Sequence, residues 1–150
     1  MANRLRSGKA YEHTVIGMLT LAGFDTYQPV VDDQGIDGVI RICGGDGEAP
    51  RYYEFQVKGA RTWSGIRCKV ERMTRQGVLL LYCALERELL WFLYEELAEY
   101  FPPTNPEWGD VFLDRTSVVN FKAQRRDKLP DLLQQLGGAE PATTPDRPPG

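Results

Sequence analysis

Asp37, Gln56 and Lys58 are the residues of this chain whose types and spacing could do chemistry. Asp37 lies in the run Gln34-Gly35-Ile36-Asp37-Gly38-Val39-Ile40, and the other two in Tyr53-Glu54-Phe55-Gln56-Val57-Lys58. An acid heads one predicted strand, and an amide and a lysine follow at alternate positions of the next. Metal-assisted hydrolysis of a phosphodiester needs such a set. The acid would bind a divalent cation, and the lysine would steady charge on an attacking water or a phosphoryl oxygen.

Other chemistries find little support. The chain has one histidine, His13, so histidine-rich metal sites and histidine-paired nucleophiles would all depend on it. Helical phasing turns His13 to the solvent side of the first helix, as an ordinary surface residue. No phosphate-binding Gly-x-x-x-x-Gly-Lys-Ser/Thr run occurs, and the glycines from Gly44 to Gly47 read as a hairpin turn because no helix follows them. Cys43, Cys68 and Cys83 have no metal-ligand spacing and imply no disulfide framework. Cys43 and Cys83 read as small residues in or near the core. Carboxylate-based metal chemistry is what remains.

The elements that would position these residues follow from hydrophobic period and breakers. Ser7 to Gly23 reads as a helix with Ser7 as N-cap and Gly23 as stop. Tyr11, Val15, Met18, Leu19 and Ala22 form its core stripe. Glu12 falls within the apolar sector, where an unpaired carboxylate is costly. Strands are expected over 24–31, 36–43 and 51–58. On the third, Tyr53, Phe55 and Val57 share one face, and Glu54, Gln56 and Lys58 the other. Residues 59–76 form an irregular crossover, with 66–70 extended and 71–76 as a helical turn. Val78 to Leu85 reads as a buried central strand, forming a hairpin with Leu89 to Tyr94. A short helix over 95–100, short strands over 111–113 and 117–121, and a closing helix over 124–136 follow. Pro130 suits a first turn better than a helix interior. Residues 137–150, rich in Pro, Gly, Ala and Thr, read as a disordered tail. The order describes one α/β (α+β) domain over 1–136 with a mixed central sheet flanked by helices.

Glu12 on the first helix, Asp37 on the second core strand and Gln56-Val57-Lys58 on the third together resemble the PD-(D/E)XK nuclease superfamily, with its restriction-endonuclease-like core. Glutamine at the middle position resembles the variant in Mrr-type restriction enzymes; Holliday-junction resolvases share the fold. The resemblance covers about the first 85 residues. It implies Mg²⁺ or Mn²⁺ held by Asp37, by the Gln56 side-chain carbonyl, by the Val57 backbone carbonyl and by Glu12, directly or through water. Lys58 would position the nucleophilic water. The implied substrate is DNA, recognised by structure or with a separate specificity partner, since no base-reading module is apparent. A homodimer is implied because two cuts need two sites. Gln56 departs from the acidic pattern and leaves the site one carboxylate poorer. Glu54, on the same strand face, offers an alternative register one step too early for the lysine.

Plainer readings stand beside this. Asp37 could close a turn between Gly35 and Gly38. Gln56 and Lys58 could be outward residues of an edge strand, and Glu12 could belong to an ion pair. The fold could also persist as a silent binding module, or the acidic region could hold a basic protein partner.

Charge placement can steer a polyanion to one side; a charge run alone reads as a solvated face, and its position directly after Lys58 is what raises the functional reading. The net charge is −3, yet Lys58, Arg61, Arg67, Lys69, Arg72 and Arg75 meet one acid, Glu71, in their segment. Arg4, Arg6 and Lys9 add a basic N-terminus. From Glu86 to Asp114 the balance reverses, with Arg87 as the lone cation. The basic segment would grip phosphates, and Trp63 within it could stack on a base, whereas Trp91 in a strand reads as core. No export signal or membrane-spanning run is apparent, and reduced thiols point to the cytoplasm.

Overall fold

The computed structural model describes residues 2–28, 35–66, 76–101 and 113–137, with side chains from residue 7 onward. Helix α1 (Ala2–Leu21) begins earlier than its sequence signals suggest, so Ser7 lies inside it and is not its N-cap. Its end is as expected: Gly23, at φ 94°, takes the left-handed conformation that closes a helix. Val15 and Leu19 are fully buried, and Tyr11, Met18 and Ala22 pack beside them.

Strands β1 (Asp25–Tyr27), β2 (Gly38–Ile42), β3 (Arg51–Ala60), β4 (Gly77–Cys83) and β5 (Glu88–Leu93) form one sheet in sequence order. The β3–β4 pair is parallel and the other three are antiparallel. β1 is shorter than the 24–31 run, and residues 29–31 lie outside the described residues. The crossover expectations for 67–75 also lie outside them, as do Cys68, residues 111–112 and the tail beyond Gly137.

Two apolar layers sandwich half of this sheet. On one face Tyr53, Phe55 and Val57 of β3 join Val15 and Leu19 of α1 and Leu132, Leu133 and Leu136 from the C-terminal region. On the other, Leu79 and Leu81 of β4 and Leu90 and Phe92 of β5 meet Trp63, Ile66, Leu97, Val118 and Phe121. β4 and β5 are therefore covered on both sides, which is why β4 reads as a continuous apolar run. β3 is buried on one face, and Glu54, Gln56 and Lys58 alternate onto the other, half-buried.

The C-terminal region differs from expectation. Residues 117–121 are not a strand but lie in helix α3 (Arg115–Ala123), capped by Asp114, whose carboxylate accepts the Ser117 N–H at 2.7 Å. Val118 and Phe121, three apart, bury one helix face. The expected single helix over 124–136 is broken: α4 (Leu129–Gln135) starts anew with Pro130 in its first turn, and Arg125 at φ 61° turns the chain between them. The short helix before them is a 3₁₀ turn (Tyr94–Glu96) followed by α2 (Leu97–Tyr100). Cys83 is buried as expected, but Cys43 is exposed, one residue beyond the end of β2.

Candidate active site

The site follows from a mismatch in strand length. β2 begins at Gly38, opposite Phe55, while β3 runs on to Ala60. The edge of β3 after Phe55 has therefore outrun its antiparallel partner. Asp37 fills that gap. Its N–H donates to the Phe55 carbonyl at 3.0 Å, and its Oδ2 accepts the Val57 N–H at 2.6 Å. A carboxylate thus takes the place of a strand carbonyl. Strand geometry turns both backbone groups of alternate residues the same way, so the Val57 carbonyl opens on the same edge.

Glycines make the approach tight. The Phe55 ring lies over Gly38, directly across the strand pair, where any side chain would collide with it. Gly35, at φ 75°, packs against the Gln56 amide, whose nitrogen would be 3.0 Å from a Cβ there. Gln56 therefore reaches the turn that delivers Asp37.

Glu12 arrives from α1, on the opposite side of the sheet from Gln56 and Lys58. The two sides meet where β2 stops. The Asp37 carboxyl is raised from its ordinary 3.8 to about 7, chiefly by burial and then by the charge and hydrogen bonding of the adjoining Glu12 carboxyl. The Val57 N–H and the charge of Lys58 act in the other direction without prevailing. Lys9 donates to Glu12 Oε2 at 3.2 Å from one helical turn earlier. Two carboxyl groups are thus held together in a half-buried place with a lysine in electrostatic reach. Such a pair can share a proton or take a cation. The donors at hand, two carboxylates, an amide and a backbone carbonyl, are all oxygens, which suits a hard divalent ion. Among the described residues no group of three or more His, Cys, Asp and Glu could hold a metal ion, and the donors at hand include only two carboxylates.

The structure brings Glu12, Asp37 and the Val57 backbone together, sets Lys58 within charge range, and places Gln56 against the adjoining turn. His13 is exposed, as expected. Arg61 is exposed just beyond β3. Arg67, Lys69, Arg72 and Arg75 lie outside the described residues. Trp63 corrects the stacking expectation: it is 8% exposed, belongs to the second apolar layer, and donates its indole N–H to Glu86 at 3.0 Å. The 3₁₀ turn at Trp63–Gly65 directs it inward, away from any base. Trp91 is core, as expected. Sequence reading missed Lys9 as a partner of Glu12, although their i, i+3 spacing signals it. It also missed the packing of Gly35 and Gly38 around Asp37, for which the Gly-x-Asp-Gly run is the signal.

The arrangement defines an α+β protein with a mixed five-stranded sheet, helices on both faces, and an acidic site at a strand terminus. The same fold occurs in a bacterial homing endonuclease, I-Ssp6803I, whose solved structure is 14% identical to this chain. The match has a TM-score of 0.59 and covers 87% of this chain and 92% of that one. No family model matches the sequence, and no curated protein does. Among the described residues no helix is long and apolar enough to cross a membrane.

Proposed function

We propose that this chain is a metal-dependent DNA endonuclease of the PD-(D/E)XK type in its Gln-x-Lys form. The observation that carries this is Asp37 bound to the Val57 N–H at the end of β2, with Glu12 and Lys58 in electrostatic reach of its carboxyl. The shared fold with a homing endonuclease supports the same substrate class.

Asp37 and Glu12, with the Gln56 side-chain oxygen and the Val57 carbonyl, would hold Mg²⁺ or Mn²⁺. When bound, the ion supplies charge neutralisation at the phosphoryl oxygens and acidifies water. The Val57 N–H fixes the rotamer of Asp37, so one carboxylate oxygen is committed to the strand and the other is left to face the site. Lys58 orients the attacking water and offsets the charge that builds on phosphorus. The water oxygen bonds to phosphorus, one P–O ester bond breaks, and the departing oxygen is protonated. Arg61, with the cations from Arg67 to Arg75, would hold flanking phosphates, and a second copy of the chain would supply a second cut. Such an enzyme would work on DNA in the cytoplasm, with branched or otherwise structured DNA as the leading substrate.

The test is cleavage of duplex, single-stranded and branched DNA with Mg²⁺ or Mn²⁺. Wild type should cut at least one substrate, and Asp37→Ala and Lys58→Ala should not. Equal activity in all three proteins would refute the site. Gln56, which brings no charge, favours a second reading: a silent nucleic-acid-binding module. That reading expects DNA binding unchanged by Mg²⁺ and no cut on any substrate.

A further inference from the structure

We propose that Gly59 is a positioning residue for this site. Its missing side chain lets Tyr11 seat α1 on β3, and that seating is what carries Glu12 to Asp37. The inference rests on the site described above and adds to it the device that sets the helix-to-strand distance.

Gly59 follows Lys58 within β3, and Tyr11 precedes Glu12 within α1. The contact between them therefore joins the backbones next to two of the proposed site residues. A Cβ on Gly59 would lie 2.5 Å from Tyr11 Cδ2, 2.7 Å from its Cγ and 2.9 Å from its Cβ. Gly59 is not among the glycines with positive φ. Space, not backbone freedom, is what glycine supplies here, and it does so inside a strand, where glycine is otherwise unfavourable.

The third distance decides the consequence. A ring can swing away from a methyl group, but the Tyr11 Cβ moves only with the helix. The ring is restrained as well. It packs against Tyr82 with centroids 5.7 Å apart, and Tyr82 is the cross-strand partner of Gly59. Tyr11 thus sits in a slot whose floor is a glycine and whose wall is the neighbouring tyrosine. Val15 and Leu19, one and two turns later on the same buried stripe, continue the seat along the sheet.

A methyl at position 59 would lift this part of α1 by about half an ångström or more to restore ordinary contact distances. Glu12 is the next residue and would withdraw with it. The influence of one carboxyl on the other falls off with distance, so a displacement of this size weakens it. Lys58, on the other face of β3, would stay where it is. The effect is therefore expected to pass through Glu12 and not through the lysine.

The experiment compares Gly59→Ala in two backgrounds, wild type and Glu12→Gln, after thermal melts confirm that each protein folds. In the wild-type background, cleavage and Mn²⁺ affinity should each fall by about 10-fold to 100-fold, the usual consequence of disturbing a ligand's supporting contacts. In the Glu12→Gln background the same substitution should add little. Equal losses in both backgrounds would overturn the proposal. If Gly59→Ala does not fold, Tyr11→Ala, which removes the seated ring, replaces it and should show the same dependence on Glu12. A crystal structure of the metal-free variant gives a reading independent of nuclease activity: α1 shifted and Glu12 withdrawn from Asp37 supports the device. An unmoved helix with the tyrosine ring merely rotated refutes it, whether or not the wild-type protein cuts DNA.

Discussion

Among the described residues, two places where charge is withdrawn from water are built in opposite ways. Arg126, between α3 and α4, is buried and paired with an opposite charge. It makes two hydrogen bonds to Glu96, at 2.6 and 2.9 Å, and a third to the Tyr100 hydroxyl at 3.2 Å. Its guanidinium lies 4.5 Å from the Trp91 ring centroid, and Glu96 also accepts the Leu93 N–H. Opposite charges meet there in a two-bond pair. At the end of β2 two carboxyl groups adjoin, and burial followed by the influence of Glu12 raises Asp37 to about 7. The first arrangement closes a fold. The second sets one acid beside another and holds Asp37 well above its ordinary value, an arrangement that a cation would relieve. That asymmetry is what marks a site among otherwise structural charges.

The largest effects should separate the two places. Lys58→Ala or Asp37→Ala should lower DNA cleavage by at least about 100-fold while leaving the melting temperature within a few degrees of wild type. Arg126→Ala should do the reverse. Removing the guanidinium from the half-buried Glu96, which keeps only the Leu93 N–H, destabilises the fold by about 2 kcal/mol, which a denaturant titration reads, while cleavage per folded molecule is retained. A loss of chemistry with full stability in Arg126→Ala would erase the distinction.

Asp37→Asn sharpens the contrast. Because the folded protein raises this carboxyl above its ordinary 3.8 to about 7, the folded state binds more protons in that interval than the unfolded state. The metal-free protein should therefore lose stability from this group as pH rises through the interval. Asp37→Asn should remove that dependence and melt higher than wild type at pH 8 without metal, while cutting nothing. A variant that melts lower at that pH would show that the carboxylate stabilises the fold.

Smaller effects are expected at the periphery. Trp63→Phe should cost about 1 kcal/mol through the lost indole bond to Glu86 and leave DNA affinity unchanged in a binding titration. A clear loss of affinity would return Trp63 to the nucleic-acid interface.

The candidate site was more legible in the sequence than the structural ion pair. Asp37, Gln56 and Lys58 could be found because strand alternation and helical phasing are periodic, and Glu12 stood out as a carboxylate on an apolar stripe. Glu96 and Arg126 are separated by 30 positions, and no local period links them. The same limit hid Tyr11 against Gly59, since spatial exclusion leaves no mark on either segment alone. Residues 117–121 were misread because Val118 and Val119 favour a strand locally, whereas the Asp114 cap and the burial of Val118 and Phe121 decide for a helix. Trp63 was misplaced because its neighbours in sequence are basic, although the turn at Trp63–Gly65 directs it into the core.

Calorimetric titration of the protein with Mn²⁺ at pH 6 and pH 8, in buffers of different ionisation heat, reads the like-charged pair most directly. Binding should appear at both, tighter at pH 8, and should release about one proton per ion at pH 6 and far less at pH 8, because ligation needs the ionised carboxylate; Asp37→Asn should abolish it. No binding heat at either pH, or binding that survives Asp37→Asn, would contradict a cation site at the end of β2.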